Sequence, residues 1–151
     1  MSSVFLYPSL GLFEGTVVSV GRGTDFPFQL IGYPEFNDTN FSFTPRSIPG
    51  ISKNPPYENL VCFGYNLKKT VKNAILEKKQ INLVWLITMY NNYPDKSKFF
   101  NNFFNLLAGN GILQKQIKNG LKSEEIHKSW ETELTEFRKI RKKYLLYEDF
   151  E

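Results

Sequence analysis

The chain has 151 residues, enough for one domain that buries about 70% of the surface its unfolded form exposes, so it needs neither a metal nor a disulfide staple to fold. Hydrophobic residues at 41% and charged residues at 23% exclude a disordered, collagen-like or coiled-coil chain. The formal charge of +4 is unevenly placed: residues 1–67 carry Arg22, Arg46 and Lys53 against Glu14, Asp25, Glu35, Asp38 and Glu58, and the remaining basic groups lie later at helical spacing. That is the pattern of a solvated helix surface, and no nucleic-acid motif accompanies it, so no nucleic-acid partner is expected.

Cys62 is the single cysteine and His127 the single histidine, which excludes an intrachain disulfide and a Cys/His zinc cluster; neither a metal nor a cofactor is expected. The longest largely apolar run, Leu83 to Tyr90 with Thr88 inside it, is far short of the roughly 20 residues that span a bilayer. The aromatic content stands out, with 14 Phe, 8 Tyr and 2 Trp. Rings in that number either fill a core or line a surface that binds something.

In chain order, Met1-Ser2-Ser3 reads as a remnant ahead of a domain spanning 4–151, because the apolar Val4-Phe5-Leu6-Tyr7 follows with no polar lead-in. Short runs rich in Phe, Val and Tyr, punctuated by Gly and Pro, predict strands at Val4–Tyr7, Thr16–Val20, Phe26–Gly32, Phe41–Thr44 and Leu60–Leu67. From about residue 70 the apolar spacing turns helical. Ile81, Val84, Trp85, Thr88 and Met89 share one face of a helix that Pro94 ends. Two short helices follow, Lys98–Ala108 and Ile112–Lys118, stopped by Gly109-Asn110-Gly111 and Asn119-Gly120. The last helix has Ser123 as N-cap, Glu124 and Glu125 in its first turn, Lys142 and Lys143 in its final turns, and a stripe of Ile126, Trp130, Leu134, Phe137, Ile140 and Tyr144 expected to be buried. The expected fold is α+β: a small mixed sheet from the first half with the helices of the second half packed on it.

The stretch from Leu12 to Thr24 carries the chemistry. It is not a phosphate loop, because five residues separate Gly15 from Gly21 and Arg22 stands where a lysine belongs. The dinucleotide fingerprint fails as well, since its third glycine would fall on Phe26. What remains is Gly21-Arg22-Gly23-Thr24: glycines permit a sharp turn and close approach of a ligand, and the planar guanidinium fork matches a carboxylate or phosphate. The alternative is an arginine paired with a structural carboxylate such as Asp25 or Glu14. Glu14, expected at a strand end, is either a catalytic or substrate-orienting carboxylate or an acceptor for N–H groups of its own loop. Phe43–Ser47 and the Pro49–Pro56 loop resemble a rigid rim with Ser52, Lys53 and Asn54 available as polar contacts, turn structure being the favoured role of the prolines, and His127 reads as a packed or surface residue.

Several segments together resemble the C-terminal part of the YbbC/NamZ family: Tyr7-Pro8-Ser9-Leu10-Gly11-Leu12-Phe13-Glu14-Gly15-Thr16, Ser19 to Thr24, Pro27 to Gly32, Phe43-Thr44-Pro45, Ser52-Lys53, Cys62-Phe63-Gly64, Tyr93-Pro94-Asp95, Phe104 to Gly109, and the ending from Trp130 to Tyr147. The resemblance departs at Gly11 and Val17, where family members often carry Cys and Asn. It implies exo-β-N-acetylmuramidases, glycoside hydrolases that release terminal N-acetylmuramic acid from peptidoglycan fragments. It also implies a larger Rossmann-like N-terminal domain that holds the principal catalytic glutamate, with the cleft at its junction with this domain, and a cell-envelope, periplasmic or secreted location.

On that resemblance Arg22 is the contact to the lactyl carboxylate that distinguishes muramic acid. Gly21 and Gly23 shape its loop, and Thr24 supports it. Glu14 is a partner carboxylate or hydroxyl acceptor, and Tyr7 a sugar-facing aromatic or transition-state donor. The expected partners are a muramic-acid saccharide and the N-terminal domain, with this chain alone inactive. The competing expectations are a non-catalytic carbohydrate- or peptidoglycan-binding module and a protein-interaction domain. Val4–Tyr7 and Phe13 are expected to flank the cleft as surface, and Trp85, Phe104, Trp130, Phe137 and Tyr144 to be core.

Overall fold

The computed structural model describes residues 2–68 and 80–148. The chain opens with helix α1, Ser2–Leu10, in place of the expected strand at Val4–Tyr7, and runs on into a 3-10 turn over Gly11–Gly15. The reason is legible in the spacing. Leu6, Leu10 and Phe13 step by four and three residues, a helical period, and all three are fully buried. That burial outweighs Pro8, which sits in the last turn of α1 and donates no N–H to it. Phe13 is therefore core, and of the Val4–Tyr7 run only Val4, Phe5 and Tyr7 reach the surface.

The expected strand at Thr16–Val20 reduces to two isolated bridges. Val17 N–H donates to the Phe99 carbonyl at 3.0 Å, and Ser19 exchanges two bonds with Gly32 at 2.9 and 3.1 Å. The sheet has three strands, β1 (Leu30–Tyr33), β2 (Ser42–Phe43) and β3 (Cys62–Asn66), in the order β1-β3-β2 and antiparallel throughout. It is purely antiparallel rather than mixed among the described residues. Its register pairs Gly32 with Gly64 and Ser42 with Phe63.

Helix α2, Val84–Asn92, ends before Pro94 as its sequence requires, but it turns a different face inward. Leu86, Met89 and Tyr90 are buried together with the preceding Leu83, whereas Val84 is half exposed and Ile81 lies ahead of the helix. The region expected to be a helix from Lys98 holds only the single turn of α3, Phe104–Leu107. Phe99 and Phe100 instead lie in an extended connection whose backbone pairs with Gly15 and Val17.

Helix α4 is Ile112–Lys118, as read from the sequence. Asparagine carboxamides start this half of the molecule: Asn82 Oδ1 accepts Val84 N–H, Asn101 Oδ1 accepts Phe103 N–H and Asn110 Oδ1 accepts Ile112 N–H, at 2.8–2.9 Å.

Helix α5 is Ser123–Arg141, followed by a 3-10 turn at Lys142–Tyr144. Lys122, not Ser123, flanks its start, and the Glu125 carboxylate accepts the Lys122 N–H at 2.7 Å. Only Ile126 of the expected stripe is buried and Trp130 is half buried, while Leu134, Phe137, Ile140 and Tyr144 are exposed. The helix is about 28 Å long at 1.5 Å per residue, and only its first two turns reach the core.

The aromatic surplus largely resolves as core. Tyr33 meets Tyr93 at 5.1 Å between ring centroids, Tyr93 meets Phe99 at 5.7 Å, Phe99 meets Tyr90 and Phe100, and Phe100 meets Phe104 at 4.5 Å. Most of these contacts are edge-to-face, each contributing about 0.5–1.5 kcal/mol beyond area burial. The seam ties the sheet to α2 and α3. Burial pushes the Tyr33 hydroxyl up to about 12 and the Cys62 thiol up to about 12.

Candidate functional site

The loop Gly21–Thr24 is held from three sides. Gly21 and Gly23 both adopt left-handed backbone, at φ +75° and +79°. A Cβ on Gly23 would fall 2.6 Å from the Arg46 carbonyl oxygen and 2.7 Å from the Pro55 ring, and one on Gly21 2.9 Å from the Phe26 carbonyl oxygen. Glycine is demanded here by conformation and by space together. The Thr24 hydroxyl donates to the Gly21 carbonyl at 2.7 Å and accepts the Phe26 N–H at 3.1 Å, which closes the turn. Thr24 is thus a structural support of the loop.

Arg46 N–H donates to the Gly23 carbonyl at 2.9 Å, so the Phe43–Ser47 segment and Pro55 buttress the loop as the rim anticipated from sequence. Lys53 enters only through its carbonyl, which accepts the Ser47 hydroxyl at 2.6 Å within the rim.

Arg22 points to Glu14. Its Nε and Nη2 both donate to Glu14 Oε1, at 3.0 and 2.5 Å, which chooses Glu14 over Asp25 as the paired carboxylate. Glu14 stands on the 3-10 turn rather than at a strand end, and Asn101 Nδ2 donates to its carbonyl at 3.3 Å. The pair is half open to water, with side-chain exposures of 42% for Arg22 and 26% for Glu14, so as an ion pair it contributes only about 0.2–1 kcal/mol to stability. Its chemical meaning lies in what is left over. Both donors converge on one carboxylate oxygen, and no hydrogen-bond partner of Glu14 Oε2 or Arg22 Nη1 occurs among the described residues.

Sequence reasoning missed the residue that orients this arginine. The guanidinium carbon of Arg22 lies 5.0 Å from the centre of the Phe28 ring, and the Tyr7 ring packs on Phe28 at 4.8 Å. Phe28 is buried and has φ +56°, a left-handed conformation uncommon for a bulky side chain. Its N–H donates to the Val20 carbonyl at 2.7 Å, which pins it there. Nothing in the motif Pro27-Phe28-Gln29 announces that conformation. Tyr7, Phe28, Arg22 and Glu14 therefore form one row, with the Tyr7 side about half exposed. The row can engage an anion through Arg22 and a flat apolar face through Tyr7.

His127 packs at the start of α5: its Nε2 lies 3.0 Å from the Ile81 carbonyl oxygen, and its ring meets Trp130 edge-on at 5.2 Å. A cavity of about 660 Å³ opens along α5 beside it, lined by Ile81, Trp130, Leu134 and Arg138, apart from the Arg22 loop. No group of three His, Cys, Asp or Glu side chains able to hold a metal occurs among the described residues, and no helix among them is long and apolar enough to cross a membrane.

Comparison with known proteins shows the family of the chain. Residues 5–147 match the family described as exo-beta-N-acetylmuramidase NamZ, C-terminal. The chain is 37% identical over 158 aligned positions to the peptidoglycan beta-N-acetylmuramidase NamZ of Bacillus subtilis (strain 168), an alignment covering 97% of this chain and 38% of the relative. It also superimposes with a TM-score of 0.90 on the crystal structure of a DUF1343 family protein from Bacteroides fragilis NCTC 9343, at 46% identity and over 97% of this chain and 41% of that one. The chain spans about two fifths of the length of both relatives. With the match running from α1 past α5, and with the Glu14 turn and Arg22 loop inside it, the chain belongs to the family of NamZ C-terminal domains.

Proposed function

We propose that the chain is the substrate-binding domain of a peptidoglycan-degrading exo-β-N-acetylmuramidase and that Arg22 reads the lactyl carboxylate of N-acetylmuramic acid. The observation that carries this reading is the unequal use of the Arg22–Glu14 pair: both bonds end on Oε1, so the guanidinium is oriented yet retains unspent donors at a half-open surface. A carboxylate arriving on the Nη1 side gains charge-assisted bonds without displacing Glu14. The sugar's apolar face then lies toward Tyr7. Glu14, accepting twice from Arg22, holds the arginine rather than moving a proton.

Glycosidases ordinarily work with two carboxyl groups, and the remaining catalytic chemistry belongs to a further domain of a longer protein acting in the cell envelope or outside the cell. The length of the relatives supports this, since this chain matches 38% and 41% of them.

The test is kinetic. In a protein that joins this chain to the additional domain its relatives carry, Arg22→Ala raises KM for a chromogenic muramic acid glycoside about 10- to 100-fold, the worth of a lost charge-assisted contact. Arg22→Lys recovers part of the loss. An unchanged KM removes Arg22 from the site. Saturable binding of N-acetylmuramic acid by this chain alone, with no hydrolysis from the joined protein, would instead establish a binding module.

A further inference from the structure

A second groove, of about 500 Å³, opens away from the Arg22 loop where three elements meet: the approach to β2 (Asp38, Asn40, Phe41), the end of β3 (Gly64 to Leu67), and the first turns of α2 (Trp85, Thr88). Its volume lies within the range of roughly 300–1,000 Å³ typical of small-molecule sites. Trp85 and Tyr65 both pack part of their rings against the core and remain partly exposed where they line the groove. Tyr65 is held edge-on by Phe36 at 5.3 Å between centroids. Trp85 and Thr88 are three residues apart and so share a face of α2.

The polar groups of this groove are ordered and only partly used. Asp38 Oδ1 accepts both the backbone N–H and the side-chain Nδ2 of Asn40, at 3.1 and 2.7 Å, which fixes the loop and leaves Asn40 Oδ1 as an acceptor. Asn66 Oδ1 accepts Lys68 N–H at 3.1 Å, which leaves its amide hydrogens as donors. Gly64 N–H donates to the Phe41 carbonyl at 3.1 Å and ties the loop to the sheet. The charge is equally informative. Among the described lining residues Asp38 is the one ionisable side chain besides Tyr65, and the nearby Lys68 ammonium is drawn over the Phe26 ring at 4.7 Å.

Half-buried aromatic faces beside amide donors and acceptors, with one carboxylate and no cation among the described lining residues, suit a neutral ring that carries C–H faces, hydroxyls and amides. We infer that the groove between Tyr65, Trp85, Asn40 and Asn66 is a binding site for a neutral amino sugar of the N-acetylglucosamine type, distinct from the arginine loop that takes the carboxylate-bearing sugar. The C–H face of the pyranose stacks on the rings, whose faces are electron-rich. Asn66 donates to and Asn40 accepts from the sugar's amide and hydroxyl groups. This inference stands on the groove alone and survives if Arg22 binds nothing.

The chain contains two tryptophans, so Trp130→Phe leaves Trp85 as the only indole reporter. Titration of that protein with N,N′,N″-triacetylchitotriose is expected to change Trp85 emission saturably. N-acetylmuramic acid, repelled by Asp38, is expected to change it at least several-fold less at equal concentration. Asn66→Ala, at an exposed position, and Tyr65→Ala each weaken the response about tenfold, while Tyr65→Phe keeps most of it and Arg22→Ala leaves it unchanged. The shift of the Trp85 indole N–H in an NMR spectrum gives the same readout without relying on quenching, and a dispersed spectrum checks that each variant is folded. No saturable change up to tens of millimolar sugar overturns the proposal. A response abolished by Arg22→Ala also overturns it, because the sugar would then sit at the arginine loop. No N-acetylmuramic acid binding by the protein that retains Arg22, with the chitotriose response intact, refutes the Arg22 reading alone.

Discussion

The Arg22 loop and helix α5 are held in opposite ways. The loop is over-determined: two left-handed glycines, a threonine closing its own turn, a backbone bond from Arg46, the Pro55 ring and a strained Phe28 all fix one short segment. Helix α5 is anchored at its first two turns through Ile126 and Trp130, and beyond them it carries Leu134, Phe137 and Ile140 to the surface. Precision is concentrated where backbone groups and side chains are used against each other. Amphipathic periodicity alone leaves a face whose partner is not specified.

The comparison is tested most strongly by truncating matched apolar residues. Leu10→Ala, at a fully buried position beneath the Glu14 turn, is expected to cost about 2–5 kcal/mol of unfolding free energy, whereas Phe137→Ala on α5 changes it by less than about 0.5 kcal/mol. Urea denaturation of both variants decides it. A large loss from Phe137→Ala would show that the far end of α5 is covered after all.

The second test separates glycine conformation from glycine space. Gly23 and Gly50 have nearly the same left-handed φ, +79° and +76°, but a Cβ on Gly50 meets nothing within 4 Å. Gly50→Ala is expected to cost about 1–2 kcal/mol, the left-handed penalty alone. Gly23→Ala costs more, about 2–4 kcal/mol, because it also drives the Arg46 carbonyl and Pro55 apart. Equal midpoints for the two variants would mean that the loop is less tightly buttressed than its contacts imply.

The smallest effect is with pH. Cys62 is raised from 9.0 to about 12 by burial, and Tyr33 from 10.0 to about 12. Each group holds its proton more tightly folded than unfolded, so its contribution to stability is complete below the unfolded value and is lost as pH rises toward the folded one. The denaturation midpoint is therefore expected to be steady near pH 7–8 and to fall from about pH 9 upward. Cys62→Ala makes that alkaline fall shallower. An identical slope in the variant would assign the whole alkaline loss elsewhere.

The contrast between loop and helix also explains which expectations held. The Gly-Arg-Gly-Thr turn, β3 and the spans of α4 and α5 were readable because each is signalled by neighbouring residues: positive-φ glycines, alternating burial, an Asn or Glu at the helix start. The α1 segment has the local marks of a strand in Pro8 and its aromatic content, but the helical period of Leu6, Leu10 and Phe13 and their burial in the core decide for helix. Phe99 and Phe100 lie in no helix because they pair with residues more than 80 positions earlier, beyond the reach of a local pattern. Phe28 had no local signal at all.

The amino-acid order by itself determines the α+β class, the family, and the residue types gathered around Gly21–Thr24, since these depend on composition, period and motif along the chain. Only the tertiary structure decides that Arg22 takes Glu14 rather than Asp25, that both of its bonds end on one oxygen, that Phe28 and Tyr7 stack beneath it, and that the stripe of α5 lies open. Those choices are made by atoms distant in sequence competing for the same few ångströms of space and the same donors, and no one-dimensional pattern contains the outcome of that competition.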